Sequence, residues 1–445
     1  MSRLFGTDGV RGIVGKELTK ELAYKLGVAG ARVLTTKEKS KPRILIGSDT
    51  RESCDMLCKS LVCGIQDEGA EAIILGVIPT PAVAFLTRLY EADAGVMISA
   101  SHNPYEFNGI KFFNKNGYKL QDEIEDEIEK VVKTLDYNEK NEDLSFEKES
   151  KGVNDYLNYL KSIAEVKLNG INIVLDCANG ASSELAPSLF KDLGANVVVI
   201  NNTPNGRNIN KDCGSTHIEN LQQEVLKRGC DIGFAFDGDA DRVLAVDEKG
   251  NIIDGDKILA VIGNYMKEQN TLEKDTIVVT IMSNLGFDVM AREKGINVAK
   301  TKVGDRYVLE EMLKSGYVIG GEQSGHVILL KYNTTGDGML TAIKFLEVLK
   351  NSNKKASELA AVMDVYPQVL KNARVKNENK SKYLEDEIIK NICIELEKEF
   401  DNEGRVVIRP SGTEPLIRVM IEGKDVEYIT KKAELLAKVI EERLG

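Results

Sequence analysis

Three times along this chain, an apolar strand-like run ends in a short polar loop, and a second apolar run follows at once. The three segments read GVMISASHNP, DIGFAFDGDADR and YVIGGEQSGH. Because a sheet fixes where its strand ends lie, repetition of this unit would bring the three loops to equivalent places. The pattern therefore predicts that one scaffold position is used three times to build a single site.

Strand-like and helix-like runs alternate around these segments. The first part contains RILIG, AIILGV and GVMISA, and the pattern restarts at INIVLD and again after DEKGNIIDGD. Such alternation is typical of largely parallel sheets. We predict an α/β fold: three similar α/β domains with mixed sheets plus a smaller C-terminal α+β domain around a central cleft. The predicted boundaries are 1–152, 153–252, 253–367 and 368–445.

Size and charge restrict the class of protein. A chain of 445 residues is too long for one hydrophobic core. Its 70 acidic and 59 basic residues give a net charge of −11, which argues against a general nucleic-acid surface. No stretch approaches the run of about 20 apolar residues that spans a bilayer, and MSRLFGTDG is not an apolar signal. We expect a soluble cytoplasmic protein with no nucleic-acid or membrane partner.

The segment DGDADR carries Asp237, Asp239 and Asp241 at every second position. Alternation in an extended loop points these carboxylates to one side, which suits a hard divalent cation. A calcium loop is the main alternative, because Glu248 stands at its twelfth position, but Arg242 replaces the glycine required at the sixth. Mg²⁺ is predicted, since it commonly binds a few carboxylates together with a phosphate oxygen.

The segment ISASHNP offers Ser101 as a nucleophile beside His102. A Ser-His-Asp hydrolase usually shows GxSxG, which this sequence lacks, and adjacent side chains of an extended loop point apart. We therefore predict that Ser101 carries a phosphoryl group, whose charge a metal on the aspartates would neutralise. Lys111, on the apolar run that follows, is placed to transfer a proton.

The remaining polar loops suggest substrate contacts. GGEQSGH supplies groups that bind hydroxyls, and His326 in it is predicted to lie in the site. RPSGTEPLIR places Arg409 and Arg418 beside hydroxyls and a glycine, so that guanidinium, hydroxyl and backbone N–H donors can converge on phosphate. Arg11, in the glycine-rich FGTDGVRG, could contact the phosphoryl group in transfer. Together the loops predict chemistry on a phosphorylated, polyhydroxylated substrate.

Seven motifs in this order resemble the α-D-phosphohexomutase superfamily, and within it the enzymes of glucosamine phosphates. They are FGTDGVRG, ISASHNPYEFNGIKFF, FDGDADR, KVGDRY, GGEQSGH, TTGDG and RPSGTEPLIRVM, from Phe5 to about Glu422. The resemblance implies one Mg²⁺ per subunit on phosphorylated Ser101 and on Asp237, Asp239 and Asp241. It implies catalytic roles for Ser101, Arg11, His102, Lys111, Arg242 and His326, with Lys111 or His326 handling protons. It implies substrate contacts from Glu322, Ser324, Arg409, Ser411, Gly412, Thr413 and Arg418.

The activity implied by this resemblance is an isomerase-class intramolecular phosphotransfer. Glucosamine 6-phosphate and glucosamine 1-phosphate would interconvert through glucosamine 1,6-bisphosphate, which serves as intermediate and activator, and the product would feed UDP-N-acetylglucosamine and cell-wall synthesis. The expected partners are small sugar phosphates, and a homodimer and an activating kinase are left open.

Three alternatives remain at this point. A phosphoglucomutase or phosphomannomutase would share every catalytic motif, and only details such as Gln323, GSTH and IMSNLG favour the amino sugar. A phosphatase would use an aspartate of DGDADR as its nucleophile, and a sugar-phosphate sensor would have no use for Ser101. The segment GSDTRESCDM departs from the pattern, since Ser48 and Cys54 stand where relatives more often have Lys and Gly.

Overall fold

The computed structural model describes residues 3–6, 8–35, 41–137, 147–401, 403–411 and 414–445. The chain forms two compact units. The first consists of Met1–Met282 with Ile296–Val362, and the second of Ser283–Gly295 with Met363–Gly445. Three sheets lie in the first unit and a fourth lies in the second. None of the helices within the described ranges is long and apolar enough to cross a membrane.

The first sheet has the strand order β1-β5-β4-β2-β3-β6 among the described residues. Its strands are β1 (Val10–Ile13), β2 (Arg43–Ser48), β3 (Glu71–Val77), β4 (Ala94–Ile98), β5 (Phe107–Asn114) and β6 (Glu147–Lys148). Its helices are α1 (Lys20–Leu34), α2 (Cys54–Asp67), α3 (Thr80–Leu89) and α4 (Asp122–Thr134). Strand β5 runs antiparallel to both of its neighbours, whereas the other pairs are parallel.

The second sheet has the order β11-β10-β9-β7-β8. Its strands are β7 (Asn172–Asp176), β8 (Asn196–Ile200), β9 (Ile232–Phe236), β10 (Val243–Asp247) and β11 (Ile252–Ile253). The helices of this part of the chain are α5 (Gly152–Ser162), α6 (Leu185–Asp192) and α7 (Glu219–Arg228), with a 3-10 turn at Gly214–Thr216.

The third sheet has the order β13-β12-β14-β15. Its strands are β12 (Thr276–Thr280), β13 (Asn297–Thr301), β14 (Ile319–Gly321) and β15 (Val327–Leu329). The helices that follow β11 are α8 (Gly255–Glu268), α9 (Leu285–Lys294), α10 (Asp305–Ser315), α11 (Gly338–Ser352) and α12 (Ala356–Ala360), with a 3-10 turn at Glu273–Asp275. Of these, α9 belongs to the second unit.

The three sheets of the first unit share one topology. Four strands lie in the orders β3-β2-β4-β5, β8-β7-β9-β10 and β13-β12-β14-β15, and the fourth is antiparallel to the third each time. The polar loops occupy the turn between the third strand and this antiparallel return strand. The predicted strand, loop and return-strand pattern is therefore confirmed, as is the α/β class with mixed sheets.

Burial explains why the apolar runs before two of the loops form strands. All five residues of β4 and all five of β9 are buried. Strands covered on both faces read as continuous apolar runs, and AGVMI and IGFAF have this composition. These buried strands give the loops a rigid base, and rigid elements hold reactive side chains more accurately than free loops do.

The second unit contains a three-stranded antiparallel sheet of order β16-β18-β17. Its elements are β16 (Gln368–Arg374), the 3-10 segment Asn377–Leu384, α13 (Glu387–Phe400), β17 (Gly404–Pro410), β18 (Leu416–Gly423) and α14 (Val426–Leu444). Apolar side chains of β18 and α14, including Val419, Ile421 and Leu436, fill its core. The expected smaller α+β part is confirmed.

Helices α1 and α2 pack closely because glycines face the opposing backbone. A Cβ on Gly64 would lie 2.1 Å from the Tyr24 carbonyl oxygen, and one on Gly27 would lie 2.3 Å from that of Leu61. Gly64→Ala is therefore expected to lower the free energy of unfolding by about 1–3 kcal/mol, because the backbones must move apart. The midpoint of thermal unfolding measures this loss of stability. Lys59→Ala on α2 is the control, and equal midpoints for the two variants would contradict the prediction.

Candidate active site

The loop between β4 and β5 presents Ser101, which is 1% exposed. Its φ angle is +52°, in the left-handed region that non-glycine residues rarely adopt, at a cost of about 1–3 kcal/mol. The other two loops contain a left-handed residue at a similar place, Ala240 with φ +54° and Gly325 with φ +90°. The Ser101 hydroxyl donates a hydrogen bond of 2.6 Å to the Asp237 carboxylate. The serine loop and the acidic loop thus meet at their functional side chains.

His102 lies closer to Ser101 than the sequence predicted. Its Nδ1 is 3.4 Å from Ser101 Oγ, so the expectation that these side chains point apart is wrong. The reason is the left-handed conformation of Ser101, because only an extended backbone would separate the two. Arg242 Nη1 is 3.2 Å from the same nitrogen, and a guanidinium can only donate, so Nδ1 accepts. Burial, and then Arg242 and Arg11, lower the pKa of His102 to about 4, which makes it a poor base at neutral pH.

The three aspartates of the acidic loop form a buried cluster. One carboxylate oxygen from each of Asp237, Asp239 and Asp241 lies within 4.8 Å of the others. Within the described part of the chain, Asp239 Oδ1 and Asp241 Oδ1 have no hydrogen-bond partner. Buried carboxylate oxygens without partners are costly, and oxygen is the ligand that Mg²⁺ prefers. The donor set therefore fits a divalent cation.

Glu248 does not belong to this cluster. Its carboxylate accepts hydrogen bonds from the backbone nitrogen of Ser357 at 3.0 Å and from the Ser357 hydroxyl at 2.5 Å. The calcium-loop alternative requires a bidentate glutamate at this twelfth position. Because Glu248 is engaged with Ser357, the alternative loses its most characteristic ligand.

The surroundings of Asp237 oppose its ionisation, whereas those of Asp239 favour it. Burial, followed by repulsion from Asp241 and Asp239, raises the pKa of Asp237 well above its usual range. Burial also opposes ionisation of Asp239, but the Lys111 ammonium lowers the pKa of that carboxyl below its usual value. Arg242, whose pKa is raised by Asp241 and Asp237 despite its burial, lies at the edge of the same loop. A bound divalent cation would relieve the repulsion at Asp237.

Lys111 is 2% exposed and faces two carboxylates. Its Nζ lies 2.7 Å from Asp239 and 2.9 Å from Asp8. Burial alone would lower the pKa of Lys111, but Asp239 and then Asp8 raise it above its usual value. Lys111 is therefore a fixed positive charge beside the acidic loop.

Asp8 connects Lys111 to the third polar loop. It also binds Arg11 and, at 2.5 Å, the ammonium of Lys119. Lys119 in turn binds Asp305, whose carboxylate is 3.4 Å from His326 Nε2. Asp8, Lys119 and Asp305 were not among the residues predicted for the site. Their only signal is that two of them stand in the motifs FGTDGVRG and KVGDRY.

The third loop contains polar atoms that suit a ligand. Glu322 Oε1 accepts a hydrogen bond of 3.0 Å from the Gly304 backbone N–H. Ser324 Oγ and His326 Nδ1 are buried and have no partner among the residues that the structure describes. The backbone N–H of Gly336, in the motif TTGDG, donates a hydrogen bond of 3.2 Å to His326 Nε2. Sugar hydroxyls would satisfy the unpartnered atoms.

Thr80 is a further site residue that sequence reasoning missed. Its hydroxyl donates to Asp239 Oδ2 at 2.5 Å, and its backbone N–H donates to the Asp239 carbonyl at 3.0 Å. Thr80 is the first residue of α3 and is fully buried. Thr80 therefore fixes the carboxylate of Asp239 while leaving its other oxygen available.

The second unit holds the predicted anion loop. Arg409 of β17 lies directly opposite Arg418 of β18 in the antiparallel pair, and like charges in this arrangement repel unless an anion lies between them. Arg418 is 3.1 Å from Glu414. Ser411 is 5% exposed, and its carbonyl accepts a bond of 2.7 Å from Lys380 Nζ. Gly412 and Thr413 lie outside the described residues.

Comparison with known proteins gives matches over nearly the whole chain. Four models of the phosphoglucomutase/phosphomannomutase family match: alpha/beta/alpha domain I over residues 2–139, domain II over 154–250, domain III over 254–366 and the C-terminal domain over 370–439. The chain is 62% identical to phosphoglucosamine mutase of Acetivibrio thermocellus over 100% of both chains.

Solved structures share the fold. A phosphoglucomutase/phosphomannomutase family protein of Burkholderia thailandensis aligns with a TM-score of 0.83 at 22% identity, over 100% of this chain and 99% of the other. N-acetylphosphoglucosamine mutase of Aspergillus fumigatus, in complex with GlcNAc-6P and magnesium, aligns with a TM-score of 0.70 at 18% identity, over 99% of this chain and 95% of the other. With four family models and a relative of this identity along its full length, the chain belongs to the phosphoglucomutase/phosphomannomutase family, the α-D-phosphohexomutases.

Proposed function

We propose that this protein interconverts glucosamine 6-phosphate and glucosamine 1-phosphate through a phosphorylated Ser101. The observation that carries the proposal is the buried Ser101 hydroxyl, 2.6 Å from one of three clustered aspartates that fit a cation. The full-length relative named phosphoglucosamine mutase supports the amino sugar as substrate. Its product would supply amino-sugar precursors of the cell wall.

The reaction consists of two phosphoryl transfers. In the first, the bond between phosphorus and Ser101 Oγ breaks, and a bond forms from phosphorus to the 1-hydroxyl oxygen of glucosamine 6-phosphate. The proton lost by that hydroxyl balances the one gained by Ser101 Oγ. The product, glucosamine 1,6-bisphosphate, then returns its 6-phosphoryl group to Ser101 in the reverse chemistry. Glucosamine 1-phosphate leaves, and the phosphoserine is restored.

Mg²⁺ held by Asp237, Asp239 and Asp241, with phosphorylated Ser101, would neutralise the charge on the transferring phosphoryl oxygens. The magnesium in the Aspergillus fumigatus complex supports this choice of ion. Arg242, which lies beside Asp241, and Arg11, which Asp8 holds, are proposed to add positive charge around the same group.

Lys111 and His326 are the two candidates for moving the proton. Lys111, an ammonium held by Asp239 and Asp8, is the candidate for the group that has a proton to give to Ser101 Oγ. His326 is the second candidate. Because its Nε2 accepts the Gly336 N–H, the neutral ring carries its proton on Nδ1, so Nδ1 can donate to a sugar oxygen and only Nε2 can take up a proton. Glu322 and Ser324, from the same loop, are proposed to bind the neighbouring sugar hydroxyls.

Arg409, Ser411, Gly412, Thr413 and Arg418 are proposed to bind the phosphate that is not reacting. Arg409→Ala should then lower kcat/KM about 10- to 100-fold in both directions, because each isomer presents its second phosphate to the same loop. Steady-state kinetics that start from each isomer in turn measure kcat/KM in the two directions. Arg374→Ala, an exposed arginine of β16, is the control. A loss confined to one direction would contradict a shared phosphate loop.

Side-by-side turnover of glucosamine, glucose and mannose phosphates tests the proposed substrate. We expect glucosamine 6-phosphate to give the highest kcat/KM. A higher value for a hexose phosphate would favour a phosphoglucomutase or phosphomannomutase. Net release of inorganic phosphate that is independent of Ser101 would instead identify a phosphatase. A kinase that first phosphorylates Ser101 and a homodimer remain predictions.

A further inference from the structure

Two side chains hold the backbone carbonyls of the nucleophile loop. Arg51 Nη2 donates to the Ser101 carbonyl at 3.0 Å and to the Asn103 carbonyl at 2.8 Å. Asn210 Nδ2 donates to the same two oxygens, at 2.8 Å and 3.1 Å. We call Arg51 and Asn210 the carbonyl clamp. Both residues are buried, and neither belongs to the acidic loop or to the sugar loop.

A buried carboxylate, that of Asp49, holds the Arg51 side chain in place. Its Nε donates to Asp49 at 2.9 Å, and both side chains are fully buried. Asp49 also accepts a bond of 2.6 Å from the Ser99 hydroxyl, which in turn accepts the Ser101 backbone N–H at 2.9 Å. Arg51 and Ser99 therefore constrain the carbonyl and the N–H of Ser101 through one carboxylate. This gives the GSDTR segment a specific role next to the nucleophile.

Asn210 reaches the same carbonyls from the loop that follows β8. Its backbone N–H donates to the Ala178 carbonyl at 2.9 Å, and its φ angle of +57° is one that asparagine tolerates. Gly238 makes the approach possible, because a Cβ there would lie 2.5 Å from the Ser101 carbonyl oxygen and 2.9 Å from Asn210 Nδ2. The close contact of the acidic loop and the nucleophile loop thus requires glycine at 238.

The carbonyl clamp acts directly on Ser101, the residue with the strained backbone conformation. A left-handed serine persists only where its surroundings over-determine it, and here four hydrogen bonds act on two carbonyls of the loop between β4 and β5. In this left-handed conformation, Ser101 Oγ donates its hydrogen bond to Asp237. We propose that Arg51 and Asn210 are positioning residues that hold Ser101 in the orientation for phosphoryl transfer.

The clamp also couples two sheets, since Arg51 follows β2 of the first and Asn210 follows β8 of the second. Neighbouring contacts reinforce the coupling. Thr50 Oγ1 donates to the Asn179 carbonyl at 2.6 Å, and the backbone N–H of Glu52 donates to a carbonyl of the β8 loop at 3.0 Å. The nucleophile is therefore oriented only where these two parts of the first unit are docked.

Asn210→Gly tests the proposal, which rests on the proposed mutase function. Glycine adopts the left-handed conformation without strain, so the variant removes the amide and little else. We expect kcat to fall about 10- to 100-fold, because a small misplacement of the nucleophile is costly, while KM for glucosamine 6-phosphate stays within about twofold. Asn201→Gly is the matched control, since Asn201 is also left-handed but binds Asp176 instead.

Single-turnover transfer separates positioning from folding. Phosphorylated enzyme is mixed with glucosamine 6-phosphate, and the rate is normalised to Ser101-bound phosphate measured by intact mass. A slow rate per phosphoserine in Asn210→Gly and Arg51→Lys, with a normal rate in Asn201→Gly, supports the clamp. A wild-type rate per phosphoserine in Asn210→Gly overturns it, even where its unfolding temperature is lower. Failure of wild-type enzyme to transfer at all would instead overturn the proposed function.

Discussion

Replacement of Ser101 by alanine is expected to reduce turnover by about four orders of magnitude. The hydroxyl is buried beside Asp237, which is assigned to the cation, and beside His102, whose Nδ1 accepts from Arg242, so the neighbouring side chains are already engaged. Sugar-phosphate binding should survive, because the proposed contacts to hydroxyls and to the second phosphate come from other loops. Steady-state turnover and calorimetric binding of glucosamine 6-phosphate measure the two effects separately.

Ser183→Ala is the control for this variant. Ser183 is a buried serine of the first unit whose hydroxyl donates to the carbonyl of Gly180, at 2.7 Å. It should retain near-wild-type turnover. Near-wild-type turnover of Ser101→Ala would exclude the phosphoserine mechanism. Loss of binding together with turnover would show that the substitution acts on folding instead of on the chemistry.

Replacement of Asp239 by asparagine should lower kcat about 10³-fold and raise the Mg²⁺ concentration needed for half-maximal activity. Asp239 Oδ1 is buried and without a partner in the described structure, whereas Oδ2 is bound by Lys111 and Thr80. The variant keeps the shape of the side chain and removes one charge from the cation site. Mg²⁺ titrations of activity and of binding heat provide the measurement.

The same titrations include two comparisons. A chelator should abolish wild-type activity, and added Mg²⁺ should restore it. Glu248→Gln should behave as wild type, because Glu248 binds Ser357 and not the cluster. Full activity in chelator would show that DGDADR is an acidic turn without a catalytic ion.

The contact between Ser101 and Asp237 could be anticipated from the sequence. Both follow the third strand of a repeated unit, and the shared strand order places such loops at corresponding sheet ends. The oxygen-rich character of the cation site also follows from residue type alone. These parts were predictable because each loop carries its own short pattern and the repeated strand order brings the loops together, although Ser101 and Asp237 are far apart in the sequence.

Other features depend on contacts between distant segments. Thr80 binds Asp239, and Asn210 binds the nucleophile loop. Each of these hydrogen bonds joins residues more than a hundred positions apart, and no local sequence pattern predicts them. The orientation of His102 was mispredicted because serine seldom adopts the left-handed conformation that Ser101 has here. Tertiary hydrogen bonds impose that conformation, so residue preferences could not reveal it.

Intact mass spectrometry combined with phosphorus NMR tests the central claim most directly. Enzyme that has been phosphorylated with glucosamine 1,6-bisphosphate is mixed with one equivalent of glucosamine 6-phosphate. The account predicts that Ser101 loses one phosphoryl group as bisphosphate appears, followed by its return to Ser101 and the release of glucosamine 1-phosphate. Phosphate released to water, or isomer formed while Ser101 stays unmodified throughout, would contradict it.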